Sequence, residues 1–302
     1  MSFEKPKALS EGDRVAVIAP AGPFDRAPFE AGLARLSERY QAVWDPGVFS
    51  RSGYLAGSDP RRAEELSAAM RSPQIKAVFC ARGGYGTMRL LKKLDFSSWQ
   101  LKPLVGFSDI TALHCALLSA RRTAIHGPVL TQLGKLSLSD ASALFRTLED
   151  PGFHPELEGE SWGPGIAEGH LIGGNLAVLS RLIGTPFMPV LDGAVLLLED
   201  VGELPYRLDR MWTHLNLAGF FQKIKGLALG SFTACDDKND SPSASSQAVL
   251  RKLVAETGLP CVANLPIGHG QFNHAVSLGT RFRIDGGTGR LQALESAVEA
   301  AT

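Results

Sequence analysis

Ile75-Lys76-Ala77-Val78-Phe79-Cys80, followed at once by Ala81-Arg82-Gly83-Gly84-Tyr85-Gly86, decides how this chain is read. A short apolar run closed by glycines is the pattern of a buried strand that ends in a tight turn. Adjacent glycines let the backbone come close to a ligand and turn its N–H groups toward it. The same grammar recurs on either side. Arg14 to Ala19 (RVAVIA) stops at Pro20-Ala21-Gly22-Pro23, Leu104 to Phe107 is a third strand, and Thr123 to His126 adds another. Helical patterns alternate with them at Ala27 to Tyr40, Pro60 to Met70 (with Ser58 or Asp59 as cap), Gly86 to Leu94, and Asp109 to about Ala120. Strands and helices in alternation predict an α/β fold. Residues 1–150 are expected to form a doubly wound parallel sheet with both faces covered.

The texture changes at residues 151–168, which hold Pro151, Pro155, Pro164 and four glycines with little periodicity. That stretch is expected to link two domains. Residues 169–302 then mix helices at Gly174 to Ile183 and Pro205 to Leu217 with strands at Ala194 to Leu198 and Ile224 to Leu229. Leu208, Met211, Trp212 and Leu215 recur on one helical face. Ala275 to Leu294 reads as short strands broken at Gly279 and at Asp285-Gly286-Gly287. A smaller, β-rich α+β domain is expected there.

Thirty-one basic and 31 acidic residues cancel, which removes the bulk electrostatic case for nucleic-acid binding. With 44% hydrophobic and 21% charged residues the chain is expected to be a packed, soluble protein acting on a small molecule or peptide. Cys80, Cys115, Cys235 and Cys261 are far apart in apolar stretches, which points to buried thiols rather than zinc or a redox pair. Met1 to Ser10 lacks a signal-like apolar core, and no apolar run nears the roughly 20 residues that span a bilayer. A cytoplasmic location without membrane partner is the expectation. Asn239-Asp240-Ser241 matches a glycosylation sequon, which has meaning only on export.

Four segments could carry chemistry. Ser108, in Gly106-Phe107-Ser108-Asp109, stands where a strand gives way to a helix. A tight turn there projects a hydroxyl, and the helix start offers N–H groups to an oxyanion. Read alone, Ser108 is more simply a helix cap, because N-cap serines are common and the full G-x-S-x-G pattern is missing. The Gly83-Gly84 loop is a binding edge or merely a tight turn; it is neither a Walker loop nor a full dinucleotide fingerprint. Glu199 and Asp200 follow the run AVLLL, as an acid that orients a histidine or as a solvated strand end. His269, in Gly268-His269, is a base or a structural histidine, with His274 close behind. Together they supply serine, carboxylate and histidine in one of the chain orders that assemble a hydrolytic triad. No H-E-x-x-H or paired histidine motif supports a metal.

These residues lie in longer ordered motifs: VAVIAPAGP, YLAGSDPRRAEEL, ARGGYGTMRLL, LVGFSDITAL, HGPV, LIGGNL, LLLEDVGELPYRLDRM and PIGHGQFNHAVSLG. Over nearly its whole length the chain resembles the LD-carboxypeptidases, or muramoyl-tetrapeptide carboxypeptidases, whose relatives include microcin-immunity peptidases. The resemblance implies a class I amidotransferase-like N-terminal domain, a smaller β-rich C-terminal domain, a homodimer, and an active site in the cleft between domains. It implies Ser108 as nucleophile, Glu199 rather than Glu203 as acid, His269 rather than His274 as base, and no cofactor or metal. Asp109 with Gly83 or Gly84 is the expected oxyanion hole. Arg82 or Asn175 is expected to hold a substrate carboxylate, and Glu203 to face the peptide. The implied reaction removes D-alanine from a murein tetrapeptide during wall recycling. The alternatives are an immunity-type peptidase acting on an aminoacyl- or peptidyl-nucleotide, with Trp162 or Trp212 as a nucleobase platform, and a non-catalytic small-ligand binding protein.

Overall fold

The computed structural model describes residues 2–236 and 245–301; Asn239, Asp240 and Ser241 lie outside the described residues. The chain divides into two compact units. The first comprises Met1–Phe153, His274–Ser277 and Ser296–Thr302, and the second His154–Asn273 and Leu278–Glu295.

The first unit carries β1 (Arg14–Ile18), α1 (Arg26–Ser37), β2 (Gln41–Val43), α2 (Asp59–Arg71), β3 (Ala77–Cys80), β4 (Leu104–Gly106), α3 (Thr111–Ser119), β5 (Ala124–His126), α4 (Leu130–Leu133) and α5 (Leu138–Glu149). The second opens with β6 (Glu156–Glu158), β7 (Glu160–Gly163), β8 (Ile166–Asn175), α6 (Leu176–Ser180), β9 (Val195–Val201), α7 (Pro205–Leu217), β10 (Gly226–Thr233), α8 (Ser246–Thr257) and β11 (Cys261–Ala263). Then β12 (Val276–Leu278) joins the first sheet, while β13 (Arg281–Asp285) and β14 (Arg290–Ala293) complete the second.

The first sheet has the order β12-β5-β4-β3-β1-β2, and β5, β4, β3, β1 and β2 pair in parallel. From β1 the chain moves outward to β2, then crosses back past β1 to β3. Right-handed crossovers in opposite directions put their helices on opposite faces, which is the doubly wound arrangement. The carboxyl ends of β1 and β3 flank the point where the direction of winding reverses, the place where such sheets hold ligands. Both faces are covered, so the strands are apolar without alternation: Val15 to Ile18 and all of β3 are buried. Phe24, Phe29 and Phe49 cluster in this core, with Phe24 and Phe29 stacked at 5.4 Å.

The second sheet is mixed, in the order β6-β14-β13-β8-β9-β10-β11-β7. Its centre, β8, β9, β10 and β11, is parallel; β13, β14, β6 and β7 pair antiparallel at the flanks. Strand β9 has a partner on each side, and its residues Val195 to Asp200 are all buried.

Several elements differ from the sequence reading. Residues 151–168, expected as a linker, contain β6, β7 and the start of β8. Two of its glycines sit where backbones close in: a Cβ on Gly159 would lie 2.4 Å from the Ala263 carbonyl, and one on Gly163 2.3 Å from the Leu259 carbonyl. Composition there reflects close strand packing rather than a flexible connection. Residues 274–277 and 296–302, assigned by sequence to the second domain, belong to the first unit. The helix expected at Gly86 to Leu94 is a pair of 3-10 turns, Thr87–Arg89 and Leu91–Lys93. Thr87 spends its amide and its hydroxyl on Asp109 instead of on a helical ladder. The helix expected from Gly174 begins only at Leu176, because β8 keeps pairing with β9 as far as Asn175↔Glu199.

Candidate active site

Ser108 follows Gly106 and Phe107 at the end of β4 and opens a 3-10 turn, Ser108–Ile110, that runs into α3. Its φ is +63°, left-handed for a residue with a Cβ. That conformation costs roughly 1–3 kcal/mol and persists only where the surroundings enforce it. The cap positions of the turn and the helix are Phe107 and Ile110, so Ser108 is not the cap that the simpler reading allowed. A sharp strand-to-helix turn with a strained serine is the geometry that thrusts a nucleophile out of a sheet edge.

Gly83 backs this turn. A Cβ at Gly83 would lie 2.8 Å from the Ser108 Cβ and 3.1 Å from its Oγ, so only glycine lets the two loops approach this closely. Asp109 locks them together from behind. Its buried carboxylate accepts the Thr87 amide at 2.9 Å, and its carbonyl accepts the Thr87 hydroxyl at 2.6 Å. Burial pushes the Asp109 carboxyl above its ordinary range, opposed by the hydrogen bonds from Thr87 and Gly86. Arg62, fully buried, donates to the Pro20 and Gly86 carbonyls and pairs with Asp59 at 2.5 Å. One guanidinium thereby ties the loop after β1 to the loop after β3. Sequence reasoning missed Arg62; its doubled Arg61-Arg62 at the start of an otherwise apolar-faced helix was the available signal.

In the second unit, Glu199 is fully buried inside β9, and its Oε2 lies 2.6 Å from His269 Nδ1. With the carboxylate ionised, Nδ1 donates and the tautomer is set, leaving Nε2 as the second ring nitrogen. A contact this short is in the range of a charge-assisted hydrogen bond. Glu199 Oε1 is buried without a hydrogen-bond partner among the described residues. The register of β10 against β9 shifts between Leu229 and Phe232, across from Glu199. Bulges of this kind re-aim side chains beside active sites. Past β11, Leu265 donates to the Leu229 carbonyl, and the Ser231 amide and hydroxyl both donate to the Ile267 carbonyl. This lays residues 265–267 along β10 and delivers Gly268-His269 to Glu199. Gly268 has φ +100°, and a Cβ there would lie 2.4 Å from Glu199 Oε2. Its amide donates to Asn273 Oδ1 at 2.8 Å, which closes the histidine loop.

The neighbouring candidates have other tasks. His274 pairs with Asp140 at 3.2 Å, not with Glu199. Glu203 faces Arg207 at 3.6 Å. Asn175 is buried; its amide donates to Asp200 at 2.9 Å and its carbonyl caps α6 through the Val178 amide. It therefore ties β8 to β9 rather than offering an open donor. Arg82 is exposed and donates to the Pro23 carbonyl. Asp200, unnoticed as a support by sequence, also accepts the Ala177 and Val201 amides, each at 2.8 Å. Burial pushes its carboxyl up to about 6. Of the two tryptophans read as nucleobase platforms, Trp212 is buried against Phe221, and Trp162 is covered by Arg251 at 4.6 Å. All four cysteines are buried and free. No helix among the described residues is long and apolar enough to cross a membrane.

Two family models cover most of the chain, LD-carboxypeptidase N-terminal domain over residues 15–127 and LD-carboxypeptidase C-terminal domain over residues 168–284. The murein tetrapeptide carboxypeptidase of Pseudomonas aeruginosa is 37% identical over 291 residues, covering 90% of this chain and 93% of that one. Among solved structures, muramoyltetrapeptide carboxypeptidase from Oxalobacter formigenes aligns with a TM-score of 0.83 at 30% identity, over 96% of this chain and 100% of that one. The microcin C7 self-immunity protein MccF shares the fold, with a TM-score of 0.88 at 20% identity over 98% and 100%. With a strained serine at a strand-to-helix turn in one unit and a buried Glu–His pair in the other, the chain belongs to the LD-carboxypeptidase family and is a serine-type carboxypeptidase.

Proposed function

We propose that this enzyme removes the C-terminal D-alanine from the murein tetrapeptide L-Ala-γ-D-Glu-meso-diaminopimelate-D-Ala in the cytoplasm, as a homodimer, during peptidoglycan recycling. Ser108, Glu199 and His269 act as one catalytic set. The Ser108 hydroxyl attacks the carbonyl before D-alanine, and His269 Nε2 takes its proton. Glu199 holds the tautomer and stabilises the imidazolium. Collapse of the tetrahedral intermediate expels D-alanine, whose amine takes the proton from His269, and leaves an acyl ester on Ser108. Water then attacks that ester with His269 again as base, which frees the tripeptide and restores the serine. The amides of Asp109 and of Gly83 or Gly84 receive the oxyanion, each worth roughly a hundred- to thousandfold in rate. Arg82, on the same loop as Gly83, meets the substrate's terminal carboxylate, and Glu203 faces the peptide.

The observation that carries this reading is the left-handed conformation of Ser108, a strain of the kind kept at functional sites and not required of a helix cap. Similarity to the murein tetrapeptide carboxypeptidase of Pseudomonas aeruginosa and the muramoyltetrapeptide carboxypeptidase of Oxalobacter formigenes supports the substrate. Incubation of the enzyme with the tetrapeptide, followed by mass spectrometry, is expected to show loss of one alanine. Binding without release of D-alanine, or cleavage confined to aminoacyl nucleotides, would overturn it.

A further inference from the structure

Tyr54 and Tyr85 are the most exposed aromatic side chains of the first unit among its described residues, at 65% and 47%. Their rings meet edge to face, with centroids 5.6 Å apart. Neither loop beneath them is loose. Tyr54 stands on a turn closed by the Ser52 and Leu55 amides, each bonded to the other's carbonyl at 2.9 and 3.1 Å. Leu55 is buried against Gly86, and the Ala56 amide bonds to the Ala21 carbonyl at 2.9 Å. Tyr85 directly follows Gly83-Gly84, and Arg62 holds the next carbonyl, that of Gly86. Two anchored loops therefore keep a pair of large rings in water, one of them within about 7 Å of backbone from Gly83.

The edge-to-face contact covers part of one ring face and leaves the rest of the pair to solvent. Elsewhere arginines lie over the rings of Phe49, Phe153, Trp162 and Tyr206, but among the described residues none lies over Tyr54 or Tyr85. Arg89, the nearby cation, is committed to Asp59 through contacts of 3.0 Å. Rigid aromatic faces without an internal cation attract one from a ligand.

We propose that Tyr54 and Tyr85 form the receptor for the long ammonium-bearing side chain of the residue that precedes the scissile bond, its methylenes on the ring faces and its charge in a cation–π contact. This rests on the reading of the substrate as a murein tetrapeptide, whose third residue carries such a chain, ending in an ammonium alone in lysine and in an ammonium beside a carboxylate in diaminopimelate.

The test measures KM and kcat for four tetrapeptides that carry diaminopimelate, lysine, norleucine or alanine at the third position. The wild type is expected to show a KM about tenfold lower for lysine than for alanine, with norleucine between them. Tyr54→Ala and Tyr85→Ala should each raise the lysine and diaminopimelate KM about five- to tenfold and erase most of the preference over alanine, with kcat changed less than about threefold. Tyr54→Phe and Tyr85→Phe, which keep the ring, should keep the preference. Alanine variants that retain the wild-type ratio of lysine to alanine KM overturn the assignment. So do alanine variants that lose kcat equally on all four peptides. A wild-type enzyme that releases D-alanine from none of them overturns the murein reading itself.

Discussion

The two halves of the proposed catalytic set, one in each unit, are built by opposite means. The nucleophile half is backbone: a serine forced to φ +63°, a glycine pressed to it, and carbonyls gathered by Arg62. The acid–base half is side chain: a carboxylate hidden in the middle of β9 and an imidazole brought to it at 2.6 Å by a loop seventy residues later. In the first, strain stored in a few consecutive residues does the positioning. In the second, the register of a sheet does it. Damage to the first half should therefore show mainly in turnover, and damage to the second in turnover and stability together.

The comparison breaks most sharply at the serine. Ser108→Ala should lower kcat by about 10³- to 10⁶-fold with an unchanged melting transition. Ser108→Gly should lose as much activity while gaining about 1 kcal/mol of stability, because glycine accepts a positive φ without strain. If thermal unfolding shows no gain, the strain is not stored at this residue. Glu199→Gln should cost on the order of 10⁴-fold in kcat by disturbing the tautomer of His269, and should also lower the unfolding midpoint, since a buried hydrogen-bonded pair is broken. An equal loss of kcat with no shift in stability would place Glu199 in the same class as Ser108. Gly83→Ala, whose methyl collides with Ser108, should cost about a hundredfold in kcat, read by steady-state kinetics, with the circular dichroism spectrum retained.

The smallest effect is a pH dependence confined to the second half. Burial raises the Asp200 carboxyl from 3.8 to about 6 in the folded protein. Between those values the folded state holds a proton that the unfolded chain has released. Stability should then fall as pH rises through that window, by up to about 1.4 kcal/mol per pH unit, and level off above it. Asp200→Asn should remove that slope from denaturant titrations, at the cost of one of the bonds from Asn175, Ala177 and Val201. A wild-type stability that rises between pH 4 and 6 would show that other carboxylates, held low by their partners, outweigh Asp200.

Local sequence carried a large share of this architecture, and the reasons are physical. Strands β1, β3 and β4 were legible because burial on both faces demands uninterrupted apolar runs, and α7 because its buried residues recur at helical spacing. The strand-to-helix turn at Ser108 was legible for a related reason, since a tight turn favours glycine and small polar residues close together, as in Gly106-Phe107-Ser108. Strands β6 and β7 were not: only three and four residues long and set among the prolines and glycines of residues 151–168, they look like connectors. Glu199 and Asp200 were read as a strand end, because nothing in LED tells that pairing with β8 and β10 continues through both acids.

Residue types and their order along the chain were thus enough to determine an α/β protein, a serine at a strand-to-helix turn, and a short roster of acids and histidines. Spacing alone left open which acid meets which histidine; the resemblance pointed to Glu199 and His269, and the contact itself is made only in three dimensions. Glu199 and His269 are neighbours because β10 bulges and residues 265–267 lie along it, whereas His274, five positions on, answers to Asp140. A hydrogen bond depends on distance and angle to within a few tenths of an ångström. Only the packed sheet sets those, because a one-residue slip in register carries a side chain to the opposite face.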